Sequence, residues 1–220
     1  MGSFLINNML AKKDIIPIVI IIIALIVGAW LYPSLPERIP VHWNSQGEAD
    51  GWGSKDFGVF FLPILALGVY LLMTFIPRID PLKKNYEKFK KPYFYFKLLL
   101  SLFFVFLYFF TLCSVSGFEI NIAYFMLPAF SFLFILMGAM LPKLKRNYFI
   151  GIRTPWTIHS DIVWEKTHKF SSKIFIAAGT ISLVGMIFPS FAFSIFITAV
   201  IAAAIVCVAY SYFLFRRNNG

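Results

Sequence analysis

Residues 15–32 read Ile15-Ile-Pro-Ile-Val-Ile-Ile-Ile-Ile-Ala-Leu-Ile-Val-Gly-Ala-Trp-Leu-Tyr32, an apolar run without a charged side chain. Such a run has about the length that an α-helix needs to cross ~30 Å of hydrocarbon. Lys12 and Lys13 precede it, as basic residues precede the core of a signal peptide. The run is longer than such a core and has no Ala-x-Ala exit, so it is interpreted as a membrane span.

Five further apolar runs follow the first one. The six runs cover residues 15–32, 57–76, 94–116, 120–141, 174–190 and 192–215. Of the 220 residues, 60% are hydrophobic and only 14% are charged. The mean hydropathy is +0.79, which is far too apolar for a soluble domain of this size. The sequence predicts an all-α polytopic membrane protein with six transmembrane helices in the lipid bilayer.

The Lys and Arg residues predict the orientation of these spans. Eighteen of the 20 lie at the termini or in the 77–97 and 142–173 connections, and only Arg38 and Lys55 lie on the other side. Because cytoplasmic loops are rich in Lys and Arg, both termini are predicted to be cytoplasmic and residues 33–56 to be extracellular. This distribution explains the net charge of +10 without direct binding to nucleic acid.

The predicted spans divide into two parts. An N-terminal two-helix unit with the extracellular segment covers residues 1–92, and a four-helix unit covers residues 93–220. The two parts contain similar short sequences, Leu82-Lys-Lys-Asn-Tyr86 and Leu144-Lys-Arg-Asn-Tyr148, and each of these follows a predicted span. Internal repeats are common in membrane folds, but chance similarity between basic loops explains these similar sequences equally well.

The cores of the predicted spans contain no Asp, Glu, Lys, Arg or His, and Lys97 and Glu119 lie only at their edges. Ion-coupled transporters normally need an ionisable group near the middle of the membrane. The sequence also has no Walker A motif that would bind a nucleotide. A transporter or exporter therefore lacks an evident energy source and is kept only as an alternative.

Residues 33–56, which we call the cap, have the composition of a small ordered structure. Apolar residues at 39, 41 and 43 alternate with other residues, and this predicts a short strand that Pro40 confines to an edge. Turn-forming residues follow at 44–47 and 50–51. Trp43 and Trp52 fit either an interfacial aromatic belt or a surface that docks an extracellular ligand. The candidate ligand-facing residues are Glu37, His42, Trp43, Asn44, Asp50 and Trp52.

Residues 142–173, which we call the motif segment, are predicted to form an amphipathic helix on the cytoplasmic side. Ser160 is a suitable N-cap, with Asp161 in the first helical turn. The spacing from Asp161 to His168 places four residues on one stripe, and Trp156 and Trp164 would anchor that helix at the interface. A docking or gating element is the other interpretation. The candidate residues are Arg153, Thr154, Trp156, Asp161, Trp164, Glu165 and His168.

Neither polar segment carries a recognisable metal or catalytic motif. The acids of the cap and His42 match no known ligand spacing, and acids in turns are usually solvated. Glu165-x-x-His168 has the spacing found in di-metal bundles, but such sites need several of these pairs. His-Glu-x-x-His and Gly-x-Ser-x-Gly motifs are absent. We predict no cofactor, no metal and no enzyme, with a membrane hydrolase at Glu165 and His168 as the alternative.

Both polar segments carry a family resemblance. Residues Leu35 to Lys55 fit Leu-Pro-x-x-Ile-Pro-x-His-[Trp/Phe]-Asn-x-x-Gly-x-x-Asp-Gly-[Trp/Tyr]-x-Ser-Lys. They resemble the domain of unknown function that begins SdpI-like proteins. Gly151-Ile-Arg-Thr-Pro-Trp-Thr-Ile-x-Ser and Val163-Trp-Glu-Lys-Thr-His-Lys-Phe-Ser are similar to the second hallmark of the SdpI family of bacterial peptide-toxin immunity proteins. The usual acidic pair after the serine is reduced to Asp161-Ile162.

The resemblance implies a multi-pass protein of the bacterial cytoplasmic membrane that protects its cell against a secreted antimicrobial or cannibalism peptide. On this interpretation the cap meets the peptide toxin. The resemblance also implies a sensor role, in which the toxin-engaged protein holds a cytoplasmic autorepressor at the membrane through the motif segment.

Overall fold

The computed structural model describes residues 14–116 and 123–219. Within them the chain forms seven α-helices and one two-stranded sheet, with short 3₁₀ helices at Tyr32–Ser34, Lys83–Phe89 and Leu141–Lys143. The elements are α1 Ile15–Leu31, β1 Arg38–Trp43, β2 Ala49–Ser54, α2 Lys55–Ile79, α3 Lys90–Val115, α4 Ala123–Met140, α5 Pro155–His159, α6 Asp161–Gly185 and α7 Pro189–Asn219. Lys12, Lys13, Glu119 and the start of the fourth predicted span lie outside the described residues.

Five helices of the described chain are long and apolar enough to cross a membrane, namely α1, α2, α3, α4 and α7. They contain most of the predicted spans 1 to 4 and 6, so the mostly helical, multi-pass architecture is confirmed. The predicted span 174–190 overlaps α6, which begins at Asp161 and is not among the five. The sixth span and the orientation of the helices stay predictions.

The contacts group the chain into two compact units. Unit 1 consists of the described residues of 1–75 and 97–122, and unit 2 of the described residues of 76–96 and 123–220. This grouping differs from the predicted division at residue 92. The reason lies in the 76–96 connection, which hydrogen-bonds to the motif segment.

Unit 1 has one apolar core, to which three helices and the cap contribute. Its buried members are Ile21, Ala24, Leu35, Ile39, Val59, Ala66, Tyr70, Val105, Tyr108 and Leu112. Ile39 of β1 is fully buried in this core. Because burying an isoleucine side chain contributes about 1.5–3 kcal/mol, Ile39 anchors the cap to the helices of unit 1.

A buried ion pair joins the same three helices of unit 1. Lys97 Nζ of α3 lies 2.9 Å from Asp14 Oδ1 and 3.1 Å from Thr74 Oγ1. The Tyr70 hydroxyl donates to the Asp14 carbonyl oxygen at 2.8 Å, and the Lys97 ammonium lies 4.7 Å from the Tyr70 ring centre. Lys97 was predicted at the edge of a span. Instead α3 begins seven residues earlier, at Lys90, and Lys97 is buried because these groups surround its charge.

In unit 2, α6 packs against α4 and α7. Helix α6 ends at Gly185 and α7 begins with Pro189. Proline is favoured at the first position of a helix, because its missing N–H would have no partner there.

Candidate functional site

The cap is a two-stranded antiparallel sheet in which Arg38 lies opposite Ser54 and Pro40 opposite Trp52. Strand β1 confirms the predicted strand. Strand β2 was predicted as a turn, because glycine is disfavoured in strands. Its glycines permit a close approach instead. A Cβ atom on Gly51 would lie 2.8 Å from His42 Cβ, and one on Gly53 would lie 3.0 Å from Val41 Cγ1.

Asn44 organises the connection between the two strands. Its Oδ1 accepts the backbone N–H groups of Gln46 and Glu48, each at 3.0 Å. Its Nδ2 donates to Glu48 Oε2 at 3.1 Å. The predicted turn at 44–47 is confirmed, and Asn44 is used to build the cap.

The exposed polar residues of the cap include one close pair. His42 Nδ1 lies 2.6 Å from Asp50 Oδ1, and both side chains are exposed. The Glu37 side chain is 90% exposed and lies 3.5 Å from the ammonium of Lys55, which is itself nearly buried. The cap therefore brings His42 and Asp50 together and leaves Glu37 in a loose ion pair.

The two tryptophans of the cap have different environments. Trp43, near the end of β1, is half-buried. Trp52 is 51% exposed on β2. Of the predicted ligand-facing residues, Glu37, His42, Asp50 and Trp52 are thus available for contact with another molecule.

In the motif segment, Gly151 and His168 form one structural element. The Ile152 N–H donates to His168 Nε2 at 3.0 Å, so Nε2 is unprotonated. Nδ1 then carries the proton and donates it to the Trp164 carbonyl oxygen at 2.8 Å. Gly151 has φ +104°, and a Cβ atom on it would lie 2.4 Å from His168 Nε2. Only glycine lets the backbone approach the imidazole this closely.

Trp164 is also part of the interior of unit 2. Its Nε1 donates to the Leu144 carbonyl oxygen at 3.0 Å, and its ring stacks on that of His168 with centres 4.1 Å apart. Both side chains are almost fully buried, whereas Asp161 and Glu165 are exposed. Trp164 is therefore buried in unit 2 instead of exposed as the predicted interfacial anchor, and the predicted stripe contains two buried and two exposed side chains. The two rings are buried because they face the backbone of the motif segment, where they hydrogen-bond to Leu144 and Ile152.

The short helix α5 is fixed by the threonines of the family motif. The Thr157 N–H donates to Thr154 Oγ1 at 3.3 Å, and the Thr154 N–H donates to Thr157 Oγ1 at 2.9 Å. Thr154 Oγ1 also lies 3.0 Å from Ser211 Oγ of α7. The half-buried Trp156 packs on Tyr212, with ring centres 5.1 Å apart. Trp156 thus contacts α7, and its predicted role as an interfacial anchor stays a prediction.

Two charged residues of the motif segment hold its backbone. Arg153 is exposed and donates from Nη1 to the Tyr148 carbonyl oxygen at 2.7 Å. Arg146 Nε lies 2.8 Å from Asp161 Oδ1, and its Nη1 donates to the Ile158 carbonyl oxygen at 2.8 Å. The predicted capping role of Ser160 is confirmed, because its Oγ accepts the Val163 N–H.

Asp80 and Asn147 are buried polar residues that anchor this region, and neither was predicted from the sequence. Asp80 Oδ2 accepts the Tyr86 hydroxyl and the Tyr148 N–H, both at 2.9 Å. Asn147 Oδ1 accepts the Ile150 N–H at 2.8 Å. The repeated Leu-Lys-Lys/Arg-Asn-Tyr strings were the available signal, because they lie against each other. Asn85 Nδ2 of the first string donates to the Arg146 carbonyl oxygen of the second at 2.8 Å.

Comparison with known proteins agrees with both motifs. Residues 19–67 match the family model of a domain of unknown function (DUF1648), and residues 143–212 match that of the SdpI/YfhL protein family. The chain is 29% identical over 210 residues to Immunity protein SdpI of Bacillus subtilis (strain 168). That alignment covers 95% of this chain and 99% of the relative. The chain is thus similar to SdpI along nearly its whole length and to the SdpI/YfhL family model over residues 143–212. No solved structure is significantly similar to it.

The similarity to SdpI and the five apolar helices make the chain a multi-pass protein of the bacterial plasma membrane. The structure gives a physical reason for much of the SdpI/YfhL motif. Gly151, Thr154, Trp164 and His168 are buried or held in internal hydrogen bonds, so they build the fold of unit 2.

The Glu165-x-x-His168 spacing does not assemble a metal or catalytic site. Glu165 is exposed, whereas His168 is buried and uses both ring nitrogens in internal hydrogen bonds. Across residues 14–116 and 123–219, no three His, Cys, Asp or Glu side chains come together as a metal site would require.

Burial lowers the pKa of His168 from its ordinary value of 6.5 to about 4. Between these values the unfolded chain binds a proton that the folded chain excludes. The contribution of His168 to the free energy of unfolding is therefore fully present above about pH 6.5. It is lost as the pH is lowered toward 4, and the total loss is about 3 kcal/mol. Unfolding of the detergent-solubilised protein from pH 7 to pH 4 tests this, with His168→Gln as comparison. The wild-type protein should lose more stability than the variant. If the stability of the wild-type protein and of His168→Gln depends equally on pH, the lowered pKa of His168 is contradicted. His159→Gln is the control, because it replaces an exposed histidine and should keep the pH dependence of the wild-type protein.

Proposed function

We propose that this protein protects a bacterial cell against a secreted antimicrobial peptide, which it meets at the cap. The alignment with an immunity protein carries this proposal, because it extends over 95% of this chain and 99% of the relative. Such an alignment includes the cap and the motif segment together, so the resemblance covers both polar segments of the chain.

The geometry favours the cap as the surface that contacts the peptide. In the motif segment, the buried Trp164 and His168 are used to hold the fold. In the cap, His42, Asp50 and Trp52 are exposed on an ordered sheet. Exposed polar and aromatic residues on a rigid support are the usual composition of a binding surface.

The proposal includes six spans, with both termini in the cytoplasm and the cap outside the cell. The distribution of Lys and Arg supports this orientation. Helix α6 has 25 residues, and at 1.5 Å per residue it is roughly 37 Å long. It is therefore long enough to cross the hydrocarbon even though its first turns are polar.

A survival assay tests the proposal. A sensitive Gram-positive host that expresses the chain should survive secreted peptides of the kind that SdpI-family proteins counter, and the empty vector should not protect it. His42→Ala should lower the tolerated peptide concentration roughly tenfold, the factor that corresponds to a contact of about 1.4 kcal/mol. Because His42 is exposed, this substitution should leave the amount of folded protein unchanged.

Matched controls separate the parts of this proposal. His159→Ala removes an exposed histidine from the motif segment and should leave protection intact. Ser45→Cys, at an exposed cap position, should react with a membrane-impermeant maleimide in intact cells. Lack of protection by membrane-inserted wild-type protein would overturn the immunity function. Full protection by His42→Ala would remove His42 from the contact surface.

A further inference from the structure

We infer that α6 and α7 bind an anionic phospholipid of the surrounding membrane. Its phosphate lies at three exposed lysines of α6, and one of its acyl chains lies in an apolar groove between the two helices. The site is in unit 2 and goes beyond the proposed function, since it does not depend on recognition of a peptide. It rests on one part of that proposal, the crossing of the membrane by α6.

Three lysines lie on one exposed side of α6, and we call them the lysine stripe. Lys166, Lys169 and Lys173 are spaced i, i+3 and i+7, so they follow one another along the same side of the helix. All three side chains are exposed, and no acidic side chain of the described residues forms an ion pair with them. The acids of α6, Asp161 and Glu165, precede the stripe. The lysine stripe is therefore available to an anion.

The lysine stripe lies at the polar end of a helix that is otherwise apolar. Beyond Lys173, α6 continues to Gly185 without a charged residue. Its neighbours α4 and α7 are both long and apolar enough to cross a membrane. A lysine near the end of such a helix keeps its aliphatic stem in apolar surroundings and extends its ammonium group to the head groups. The lysine stripe is thus placed at the level of lipid phosphates.

An apolar groove lies between α6 and α7. Its volume is about 490 Å³, and its walls include Ile181 of α6 and Phe191 and Ala202 of α7. None of the described residues that line it is charged. Nearer to the lysine stripe, the rings of Phe170 and Tyr210 stack with their centres 4.0 Å apart, and they close the seam between the two helices. The groove therefore opens only at the depth where lipid chains lie.

The lysine stripe leads along α6 to this groove. Lys173, Ala177 and Ile181 follow one another at intervals of four residues, and all three are exposed. Ile181 is eight residues beyond Lys173, which is about 12 Å along the helix. An acyl chain that starts at a phosphate near Lys173 thus passes Ala177 and reaches the groove at Ile181.

The surface has two parts, and a phospholipid has a matching part for each. Basic sites between membrane helices on the cytoplasmic side bind anionic head groups, and lysines near the surface attract them electrostatically. The groove suits the hydrocarbon chain of the same molecule. A free phosphate ion would leave the groove unused, and a zwitterionic lipid would gain little from the lysine stripe. An anionic phospholipid is the occupant that uses both.

Lipid binding to the purified full chain tests the inference. The protein is kept in a neutral detergent, and native mass spectrometry measures the binding of phosphatidylglycerol and of phosphatidylcholine with identical acyl chains. Phosphatidylglycerol should bind at least tenfold more tightly, and inorganic phosphate at the same concentration should not displace it. Equal binding of the two lipids would overturn the inference. Displacement by phosphate would also overturn it, because the lysines would then bind a free anion.

Paired variants test the lysine stripe. Lys169→Gln/Lys173→Gln should weaken binding of phosphatidylglycerol roughly tenfold and leave binding of phosphatidylcholine unchanged. The control Lys83→Gln/Lys84→Gln removes two exposed lysines from another part of unit 2 and should have no effect. If both double variants weaken binding equally, the overall charge of the protein attracts the lipid and the assigned site is wrong.

A second pair of variants tests the groove. Ala202→Phe fills part of the groove and should weaken the binding of both lipids. Ala204→Phe is the control, because Ala204 is exposed on the same helix but does not line the groove. Unchanged melting temperatures would show that the variants are folded. Equal binding by Ala202→Phe and the wild-type protein would contradict an acyl chain in the groove.

Cysteine labelling in nanodiscs distinguishes a failure of this inference from a failure of the proposed six spans. Thr180→Cys, at an exposed position in the middle of α6, should be protected from a water-soluble maleimide, whereas Asn218→Cys at the end of α7 should react. If Thr180→Cys reacts as fast as Asn218→Cys, α6 does not cross the membrane and both proposals fail in that respect. If it is protected and the two lipids bind equally, only the lipid site is wrong.

Discussion

Gly151→Ala is expected to destabilise unit 2 severely, by on the order of 4 kcal/mol. Two effects combine. Gly151 has φ +104°, a conformation that costs an alanine of order 1–3 kcal/mol. The new Cβ atom would also lie 2.4 Å from Nε2 of the buried His168. The imidazole must then move, which breaks the hydrogen bond from the Ile152 N–H and leaves buried polar groups unpaired.

The measurement is the unfolding of detergent-solubilised protein, followed by circular dichroism during a titration with a denaturing detergent. Gly68→Ala is the matched control, because no atom lies within 4 Å of the position that its Cβ atom would take. Gly68 lies inside α2, where alanine is the better helix former, so this control should be neutral or slightly stabilising. If Gly151→Ala unfolds at the same point as the wild-type protein, the close contact between Gly151 and His168 is not present in solution.

Lys97→Met is expected to destabilise unit 1 by about 3–5 kcal/mol, because it removes the ammonium that lies 2.9 Å from the buried carboxylate of Asp14. The methionine fills a similar volume, so the loss should come mainly from the missing charge–charge interaction. The double variant Asp14→Asn/Lys97→Met removes both charges and should recover most of this stability. The same unfolding titration, applied to the single and double variants, gives the coupling energy of the pair.

The matched control for this pair is Lys90→Met. Lys90 Nζ lies 2.6 Å from Glu87 Oε2, but both side chains are exposed. Exposed ion pairs contribute only about 0–1 kcal/mol, so the loss should be small. A Lys97→Met effect no larger than that of Lys90→Met would mean that water reaches the pair of Lys97 and Asp14. If the double variant is as unstable as Lys97→Met alone, the pairing of the two charges is not what stabilises unit 1.

Local patterns in the sequence were sufficient for most helices and for the start of the cap. Apolar length alone predicts α1, α2, α3, α4 and α7, because a span must satisfy its own backbone in lipid. Alternation predicts β1, and the capping preference of serine predicts the beginning of α6 at Asp161. Strand β2 was not predicted, because its glycines are typical of turns. In the structure, the same glycines are needed in a strand because β1 and α2 pack closely against them.

The environment of single residues in the motif segment could not be predicted in the same way. The spacing of Trp164 and Glu165 suggested one shared functional stripe, yet the first is buried and the second exposed. Periodicity describes which residues share a face of a helix, but not which face the neighbouring helices cover. Asp80 was missed for a related reason, since its partner Tyr148 is distant in sequence.

By itself, the sequence determined that the chain is a membrane protein, where most of its spans lie and which family it resembles. These properties depend on the length of apolar runs and on short motifs, which are local. Only the tertiary structure decided that Lys97 pairs with Asp14, that His168 faces Gly151 and that Trp52 is exposed on the cap. Those facts depend on contacts between residues far apart in the chain, and such contacts are set by how the helices and the sheet pack.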